Sequence, residues 1–473
     1  MKKEFAVIFD MDGVIFDSER AYIECMEEVA DMHGLENMHE VALQCIGRNE
    51  QATKQILMEA YGEDFAYDEY RKQSSDIFHS RYDNGRLPLK PYVNDIFEGL
   101  EKMGVPIALA SSTRKASVIQ ELSDAGLLHY FDELVCGDMV EKSKPSPDIF
   151  LKACEMLGVA PENAYVIEDS YNGIRAAFDA GTHPIMVPDI IAPDDEMRQK
   201  AEIILPDLER ALEYLKMPVK NETGRLLCSI EAVARECGNV ILNADRDTNV
   251  IASKEGHANF VTKYDKKVQD ILEDKLLKLL PEAVFVGEEG ENNEILSSGY
   301  AFIVDPIDGT TNFIKDYHAS AISIGLLKDG HPFLGVVYNP YLDEMFTAVS
   351  GYGSYCNGEK IHVSDKDLSN GIVLFGTAPY YEELSRKSFD VAYDYFKRSM
   401  DIRRSGSAAL DLCSIAAGRA ELYFELILQP WDYAAGFLIV NEAGGKVTTF
   451  EGQEVCFDKP CSVLATNGIA GCV

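Results

Sequence analysis

The sequence predicts two domains of unlike architecture: an α/β doubly wound parallel sheet with an inserted helical cap, then an α+β layered domain. Three observations predict this. A chain of 473 residues is longer than one hydrophobic core of ordinary size serves. The first half alternates short apolar runs with helical periodicity, the pattern of parallel strands joined by crossover helices. The second half breaks that alternation, with two long helices ahead of a hairpin-rich stretch.

Taken in order, "FAVIF" (5–9) reads as a short buried strand. From about 19 to 85 apolar residues recur every three and four positions, the signal of helices. That block interrupts the βα alternation early, so it reads as a cap spanning 17–89. Further strands are expected at "VPIALASS" (105–112), "ELVCG" (133–137), "NAYVIEDS" (163–170) and "HPIMVP" (183–188), the first three each followed by a helix. A last helix ends at "KMP", and "VKNETG" (219–224) reads as a linker before the helix "RLLCSIEAVARECGNVIL". The domains are therefore expected at 1–218, with a core of 1–16 and 90–218, and at 219–473. Within the second, hairpin-like β structure is expected over 316–364, and residues 380–398 read as an amphipathic helix whose aromatic face is buried.

Composition narrows the function. A net charge of −35 opposes nucleic-acid and membrane-surface partners, which are themselves polyanions. It is compatible with a small phosphorylated substrate, because bound cations override the global field, and many carboxylates suit Mg²⁺. No apolar run reaches membrane-spanning length. The N-terminal apolar stretch is cut by Asp10 and Asp12, and no small-residue cleavage site follows it, so a cytoplasmic location is expected. Eleven scattered cysteines without a CxxC agree with reduced, incidental thiols.

Four groups in the first half sit where strands end, the edge at which open α/β sheets place their sites. They are Asp10 and Asp12, Ser111 and Ser112, Lys144 in "SKPSPD", and Glu168 with Asp169. A strand-end carboxylate can attack phosphorus, and a second one two residues on can move the proton of the leaving oxygen. A serine hydroxyl and a lysine can hold phosphoryl oxygens while the distant carboxylate pair completes a Mg²⁺ site.

The strings "DMDGVIFDS", "LASST", "KPSPDIF" and "IEDSYNGI" resemble the haloacid dehalogenase superfamily, in its phosphatase and β-phosphoglucomutase-like branch, over residues 4 to about 215. The resemblance implies a Rossmann-like core, Asp10 as nucleophile and Asp12 as general acid and base. It places one Mg²⁺ on Asp10, the Asp12 carbonyl and Asp169, with Glu168 adjoining, and phosphate on Ser111, Ser112 and Lys144. Mutases of this branch carry a histidine where this chain has Tyr22, and their cap arginine has Glu50 as its nearest counterpart. Hydrolysis of a small phosphate ester is therefore expected ahead of a sugar-phosphate mutase or a non-catalytic sensor.

In the second half, "IVDPIDGTTNF" (303–313) sets Asp305 and Asp308 around a proline, then opens a helix at Gly309, Thr310 and Thr311 whose amides suit a phosphate. "FVGEEG" offers Glu288 and Glu289 at a strand end, and "QPWDYAAG" offers Asp432 at a helix start. Three acidic elements beside an anion site fit a phosphoesterase with two or three metals and no protein nucleophile.

Together with "NFVTKYDKKVQDIL", "GVVYNPYLDEMFTA" and "RRSGSAALDLCSIAAGRAELYFE", these strings resemble the inositol monophosphatase family over 225 to about 470. The resemblance implies a layered αβαβα fold. It puts Mg²⁺ on Glu288, Asp305, the Ile307 carbonyl, Asp308 and Asp432. It has Asp265 and Thr310 orienting water, Gly309 and Thr310 amides on phosphate, Glu425 on substrate hydroxyls, and Ser407 and Ala408 in the neighbouring substrate loop. By spacing, Lys254 falls in a loop near the metals. The family usually needs Mg²⁺, is often inhibited by Li⁺ and is commonly dimeric, so a homodimer through the C-terminal half is implied. Glu425 favours an inositol, sugar or polyol monophosphate over 3′-phosphoadenosine 5′-phosphate or fructose 1,6-bisphosphate. His318 reads as a loop histidine rather than a ligand in an all-carboxylate site.

The expectation as a whole is a bifunctional Mg²⁺-dependent phosphatase, one half working through an aspartyl phosphate and the other through an activated water.

Overall fold

The computed structural model describes residues 5–46, 50–217, 222–245, 252–253, 260–289, 298–379 and 381–470. The chain divides into two compact units, Met1–Leu215 and Lys216–Val473.

In the first unit β1 (Ala6–Phe9) is apolar throughout and buried at every position, as expected of a strand covered on both faces. It centres a six-stranded sheet with β2 (Ile107–Ser111), β3 (Glu133–Cys136), β4 (Ala164–Glu168), β5 (His183–Met186) and β6 (Ile203–Ile204). The order is β3-β2-β1-β4-β5-β6, and every pair is parallel. β6 was not expected, since two isoleucines carry no periodicity. This strand order reverses between β1 and β4, the crevice in which doubly wound sheets bind ligands.

The cap consists of α1 (Ser18–His33), α2 (Met38–Cys45), α3 (Glu50–Tyr61) and α4 (Tyr67–Tyr82), around a small core that includes Ile23, Met26, Val29, Leu57, Tyr67 and Tyr70. A β-bridge between Phe16 and Leu89 joins the outgoing and returning chains at its base. The sheet's helices follow as α5 (Val93–Met103), α6 (Lys115–Asp124), α7 (Asp148–Leu157), α8 (Tyr171–Asp179), α9 (Asp195–Lys200) and α10 (Leu208–Lys216). α5 shows why they form: Val93, Ile96, Phe97 and Leu100 make one buried stripe at helical spacing.

The second unit opens with α11 (Glu222–Leu242), three residues earlier than expected, so Glu222–Gly224 are helix rather than linker; residues 218–221 lie outside those described. A two-stranded ribbon, β7 (Ala252–Ser253) and β8 (Phe260–Val261), precedes α12 (Lys263–Leu279). A seven-stranded sheet comprises β9 (Val284–Gly287), β10 (Tyr300–Asp308), β11 (Ala321–Lys328), β12 (His331–Asn339), β13 (Glu344–Val349), β14 (Gly353–Cys356) and β15 (Glu359–Ile361), with α13 (Thr310–Ile314) after β10. The remaining elements are β16 (Ile372–Phe375), α14 (Glu382–Phe396), β17 (Asp401–Arg403), α15 (Ala408–Ala416), β18 (Leu422–Leu428), α16 (Pro430–Glu442), β19 (Lys446–Thr448) and β20 (Cys461–Thr466). Their strands form a second sheet ordered β17-β16-β18-β20-β19. α11 and α12 pack on the first sheet, α15 and α16 lie between the sheets, and α14 covers the second, giving αβαβα.

α14 departs from expectation. Only Ser388 and Ala392 are buried on it, while Phe389, Tyr393 and Phe396 are half or more exposed. The helix meets its sheet through Ala392 with the partly buried Leu384, Val391 and Tyr395, Tyr395 packing on Phe424 and Phe389 touching Phe375 edge-on.

Two candidate active sites

In the first unit, Asp10 leaves the end of β1 and Glu168 and Asp169 leave β4, the adjacent strand across the switch point. One oxygen from each of the three falls within 4.8 Å of the others, and all three residues are buried. Lys144, from the loop before α7, reaches between them, its Nζ 2.5 Å from Asp10 Oδ1 and 2.7 Å from Glu168 Oε1. Burial pushes the Asp10 carboxyl up to about 7, against the pull of Lys144. Asp169 is raised well above the carboxylate range by burial and then by Glu168 and Asp10. Burial disfavours the Lys144 ammonium, yet Asp10 and Glu168 outweigh it and hold the cation.

Asp12 accepts the hydroxyls of Ser18 at 2.8 Å and Thr113 at 3.3 Å, one on each carboxylate oxygen. Glu168 also takes the amide and hydroxyl of Ser170, at 2.8 and 2.9 Å. Ser111 is fully buried at the end of β2, where its Oγ accepts the Thr113 amide at 3.1 Å, whereas Ser112 is exposed. Gly13 has φ +81°, and a Cβ there would stand 2.3 Å from Asp169 Oδ2, so the turn after Asp12 admits no side chain.

In the second unit, Asp305 and Asp308 lie on β10. Side chains three apart on a regular strand face opposite ways. Pro306 offers no amide, and the ladder steps from Asp305–Ser323 to Asp308–Ala321, a bulge of one extra residue. Both carboxylates thereby turn to one side, and with Asp432 their oxygens lie within 4.8 Å of one another. Asp432 sits in the first turn of α16, where its Oδ2 accepts the Gln429 amide at 2.7 Å. Glu288, just past β9, lies outside that triad but is the first charged neighbour raising Asp305.

Burial leads the upward shift of every carboxyl in the triad. Asp308 reaches about 6, restrained by hydrogen bonds from the Ser407 hydroxyl and the amides of Ala409 and Ala408. Asp305 goes well above the carboxylate range, pushed further by Glu288, Asp308 and Asp432, and so does Asp432, pushed further by Asp308 and Glu288.

Asp265 is fully buried in the first turn of α12. Its Oδ2 accepts the amide and hydroxyl of Thr262 at 2.8 and 2.6 Å. Thr310 Oγ1 lies 3.1 Å from Asp265 Oδ1 and 3.1 Å from the Ile307 carbonyl. Gly309, at φ +87°, caps α13. With five residues that helix has little macrodipole, so an anion there meets individual amides of Gly309 and Thr310. Thr311 is exposed. Glu425 on β18 accepts the Ala378 amide and the Tyr423 hydroxyl, each at 2.9 Å, and burial raises its carboxyl. Ser407 and Ala408 are occupied by Asp308. His318 is exposed and stacked on Tyr341, as a loop histidine. Lys254 lies outside the described residues.

Both clusters fit a hard divalent cation. Each gathers three carboxylate oxygens within 4.8 Å of one another, hard donors whose like charges a cation reconciles, and in the first the Lys144 ammonium stands beside two of them.

Sequence reasoning missed several partners: Ser18, Thr113 and Ser170 in the first site, and Thr262, Ala378, Ala409 and Tyr423 in the second. Asn312 was missed too; its amide ties α13 to the carbonyls of Ala319 and Ser405. Ser18, Thr113 and Ser170 stand inside quoted motifs, so adjacency was the available signal.

Two carboxylate clusters, one lysine-bridged at strand ends and one drawn from a strand end and a helix start beside a buried aspartate–threonine pair, define a chain of two phosphatase domains. The chain belongs to the inositol monophosphatase family, which residues 225–471 match, and residues 7–187 match the haloacid dehalogenase-like hydrolases. An inositol-1-monophosphatase of Bacillus subtilis (strain 168) is 37% identical over 234 residues, covering 49% of this chain and 88% of that protein. The Nus factor SuhB of Escherichia coli (strain K12) is 38% identical over 221 residues, covering 46% and 83%. Among solved structures, the extragenic suppressor protein suhB from Bartonella henselae is 35% identical, covers 50% of this chain and 92% of that one, and has a TM-score of 0.48. No helix among the described residues is long and apolar enough to cross a membrane.

Proposed function

We propose that the protein is a bifunctional Mg²⁺-dependent phosphatase with two separate active sites, acting on small phosphate esters in the cytoplasm and forming a homodimer through its second unit. The observation that carries this reading is the pair of separate buried carboxylate clusters, each ringed by its own proton-handling and anion-binding groups.

In the first site Asp10 attacks phosphorus: its Oδ–P bond forms as the ester P–O bond breaks, and Asp12 gives a proton to the departing oxygen. Water then attacks the aspartyl phosphate, Asp12 takes its proton, and phosphate leaves with Asp10 restored. The hydroxyls of Ser18 and Thr113 hold Asp12 for both transfers. Lys144, with Ser111 and Ser112, would meet the phosphoryl oxygens. Asp10, the Asp12 carbonyl and Asp169, with Glu168 adjoining, would hold one Mg²⁺.

In the second site Glu288, Asp305, the Ile307 carbonyl, Asp308 and Asp432 would hold two or three. Bound Mg²⁺ supplies Lewis acidity, drawing charge from phosphoryl oxygens and lowering the pKa of water. Asp265 and Thr310, hydrogen-bonded to each other, orient the attacking water and receive its proton. The amides of Gly309 and Thr310, with the Thr311 backbone, face the phosphate, and Glu425 accepts substrate hydroxyls. Ser407 and Ala408 border the substrate and fix Asp308. A carboxylate acceptor at Glu425 supports an inositol, sugar or polyol monophosphate.

A phosphate-release screen of the whole protein, with and without Li⁺, tests the reading. Substrates lost under Li⁺ belong to the second site, and those retained belong to the first and pass through an acid-stable phosphoryl group on Asp10. Uniform Li⁺ sensitivity with no phosphorylated Asp10 contradicts it.

A further inference from the structure

Tyr22, which stands where a mutase would have histidine, is used by neither reaction. It lines a cavity of about 230 Å³ inside the cap, with Met26 of α1, Thr53 and Leu57 of α3, and Tyr67, Tyr70 and Arg71 of α4. Ser18, Tyr22 and Met26 follow one another at intervals of four on α1 and so share one face. Ser18 is the residue that donates to Asp12 at 2.8 Å. The helical face that begins at the proton-transfer carboxylate therefore becomes the cavity wall one turn later, about 6 Å along the axis.

The wall is set in place. The Tyr22 ring meets Phe78 edge-on at 5.8 Å, and the Tyr70 hydroxyl donates to the Met26 carbonyl. Met26, Leu57, Tyr67 and Tyr70 are buried, whereas Arg71 is exposed and forms the rim. Three aromatic rings, a thioether and a leucine favour a flat ring held by stacking and edge contacts. Polar groups enter the wall as well, through the tyrosine and Thr53 hydroxyls and Arg71. Size agrees, because an apolar cavity of about 150 Å³ already holds benzene.

We propose that this cavity is the leaving-group pocket of the first site, and that it takes phosphate monoesters of a compact aromatic or planar heterocyclic alcohol, an anionic substituent on the ring facing Arg71. The proposal rests on the reading of Asp10 as nucleophile and goes beyond it by naming what the phosphate is attached to.

The test uses the full chain carrying Asp308→Asn, with benzyl phosphate, 4-carboxybenzyl phosphate, glycerol 1-phosphate and methyl phosphate. All four have alkyl leaving groups, so binding rather than leaving-group acidity is compared. Benzyl phosphate should show a KM about tenfold below that of glycerol 1-phosphate, with 4-carboxybenzyl phosphate lower still. Thr53→Phe, which fills the cavity, should raise the benzyl KM about tenfold with kcat and methyl phosphate turnover unchanged. Arg71→Gln should raise KM for the carboxylated ester alone. Equal KM values for benzyl and glycerol esters, or a Thr53→Phe protein that treats them as the parent does, overturns the pocket while leaving the nucleophile standing. If no ester turns over, calorimetry with benzylphosphonate still decides. Binding weakened by Thr53→Phe supports the pocket and removes the Asp10 reading; no binding removes the pocket.

Discussion

Ser407 donates its hydroxyl to the Asp308 carboxylate, tying the N-cap of α15 to the last residue of β10. The amides of Ala408 and Ala409 add contacts at 3.3 and 2.8 Å. These donors oppose the burial that lifts Asp308 to about 6. Removing the hydroxyl in Ser407→Ala should raise that value further and leave more Asp308 protonated at neutral pH. Mg²⁺ affinity of the second site should fall by about 10- to 100-fold, as for lost outer ligand contacts. The Mg²⁺ concentration for half-maximal activity measures it, and Ser407→Thr should restore it.

Asp265 lies beside the triad of Asp305, Asp308 and Asp432 rather than in it, and Thr262 fixes its carboxylate. Asp265→Asn should therefore leave Mg²⁺ binding intact while lowering kcat by about 10²–10⁴-fold, the range of a lost general base. Calorimetric Mg²⁺ titration beside steady-state kinetics separates the two effects.

Without metal, the raised carboxyls make stability depend on pH in a definite direction. Asp10, near 7 folded against an ordinary 3.8, binds its proton more tightly in the folded state. Its contribution is full below about pH 4 and is lost as pH rises through about 7; Asp308, near 6, is lost somewhat earlier. Metal-free protein should therefore lose thermal stability between about pH 4 and 7. Mg²⁺ needs the deprotonated ligands, so its stabilising shift in Tm should be larger at pH 8 than at pH 5.5. Calorimetric scans at both pH values, with and without Mg²⁺, check the sign.

Lys144 is the cation between buried Asp10 and Glu168. Lys144→Met strands both carboxylates, a change that costs about 3–5 kcal/mol when one partner of a buried pair is removed. The single tryptophan, Trp431, belongs to the second unit and reports on it alone. Circular dichroism should show an early transition in the variant, while tryptophan fluorescence keeps the parent midpoint.

The strands of the first sheet were legible because strands covered on both faces are written as continuous apolar runs. The clustering of Asp10 with Glu168 and Asp169, and of Asp305 with Asp308 and Asp432, was legible because several acidic motifs occur in order, most of them after an expected strand. β6 was illegible: two residues hold no period. So was the exposure of Phe389, Tyr393 and Phe396, since periodicity marks a helix but does not say which face its sheet takes. The partners of the donors Ser18, Thr113, Thr262 and Ala409 were hidden too, although all four stand inside quoted motifs. A hydroxyl or an amide acquires its role from what the fold brings near, and Ala409 meets Asp308 across about a hundred residues. Ser407 and Ala408 likewise take a supporting place behind Asp308 that their motif did not disclose.

The central claim is that one chain holds two independent phosphatase sites. The most direct measurement is phosphate release from a panel of esters by the Asp10→Asn and Asp308→Asn proteins, each in the full chain with Mg²⁺. The account predicts complementary losses: each variant fails on one set of substrates and keeps the parent rate on the other. A panel unchanged by Asp10→Asn, or abolished entirely by Asp308→Asn, contradicts it.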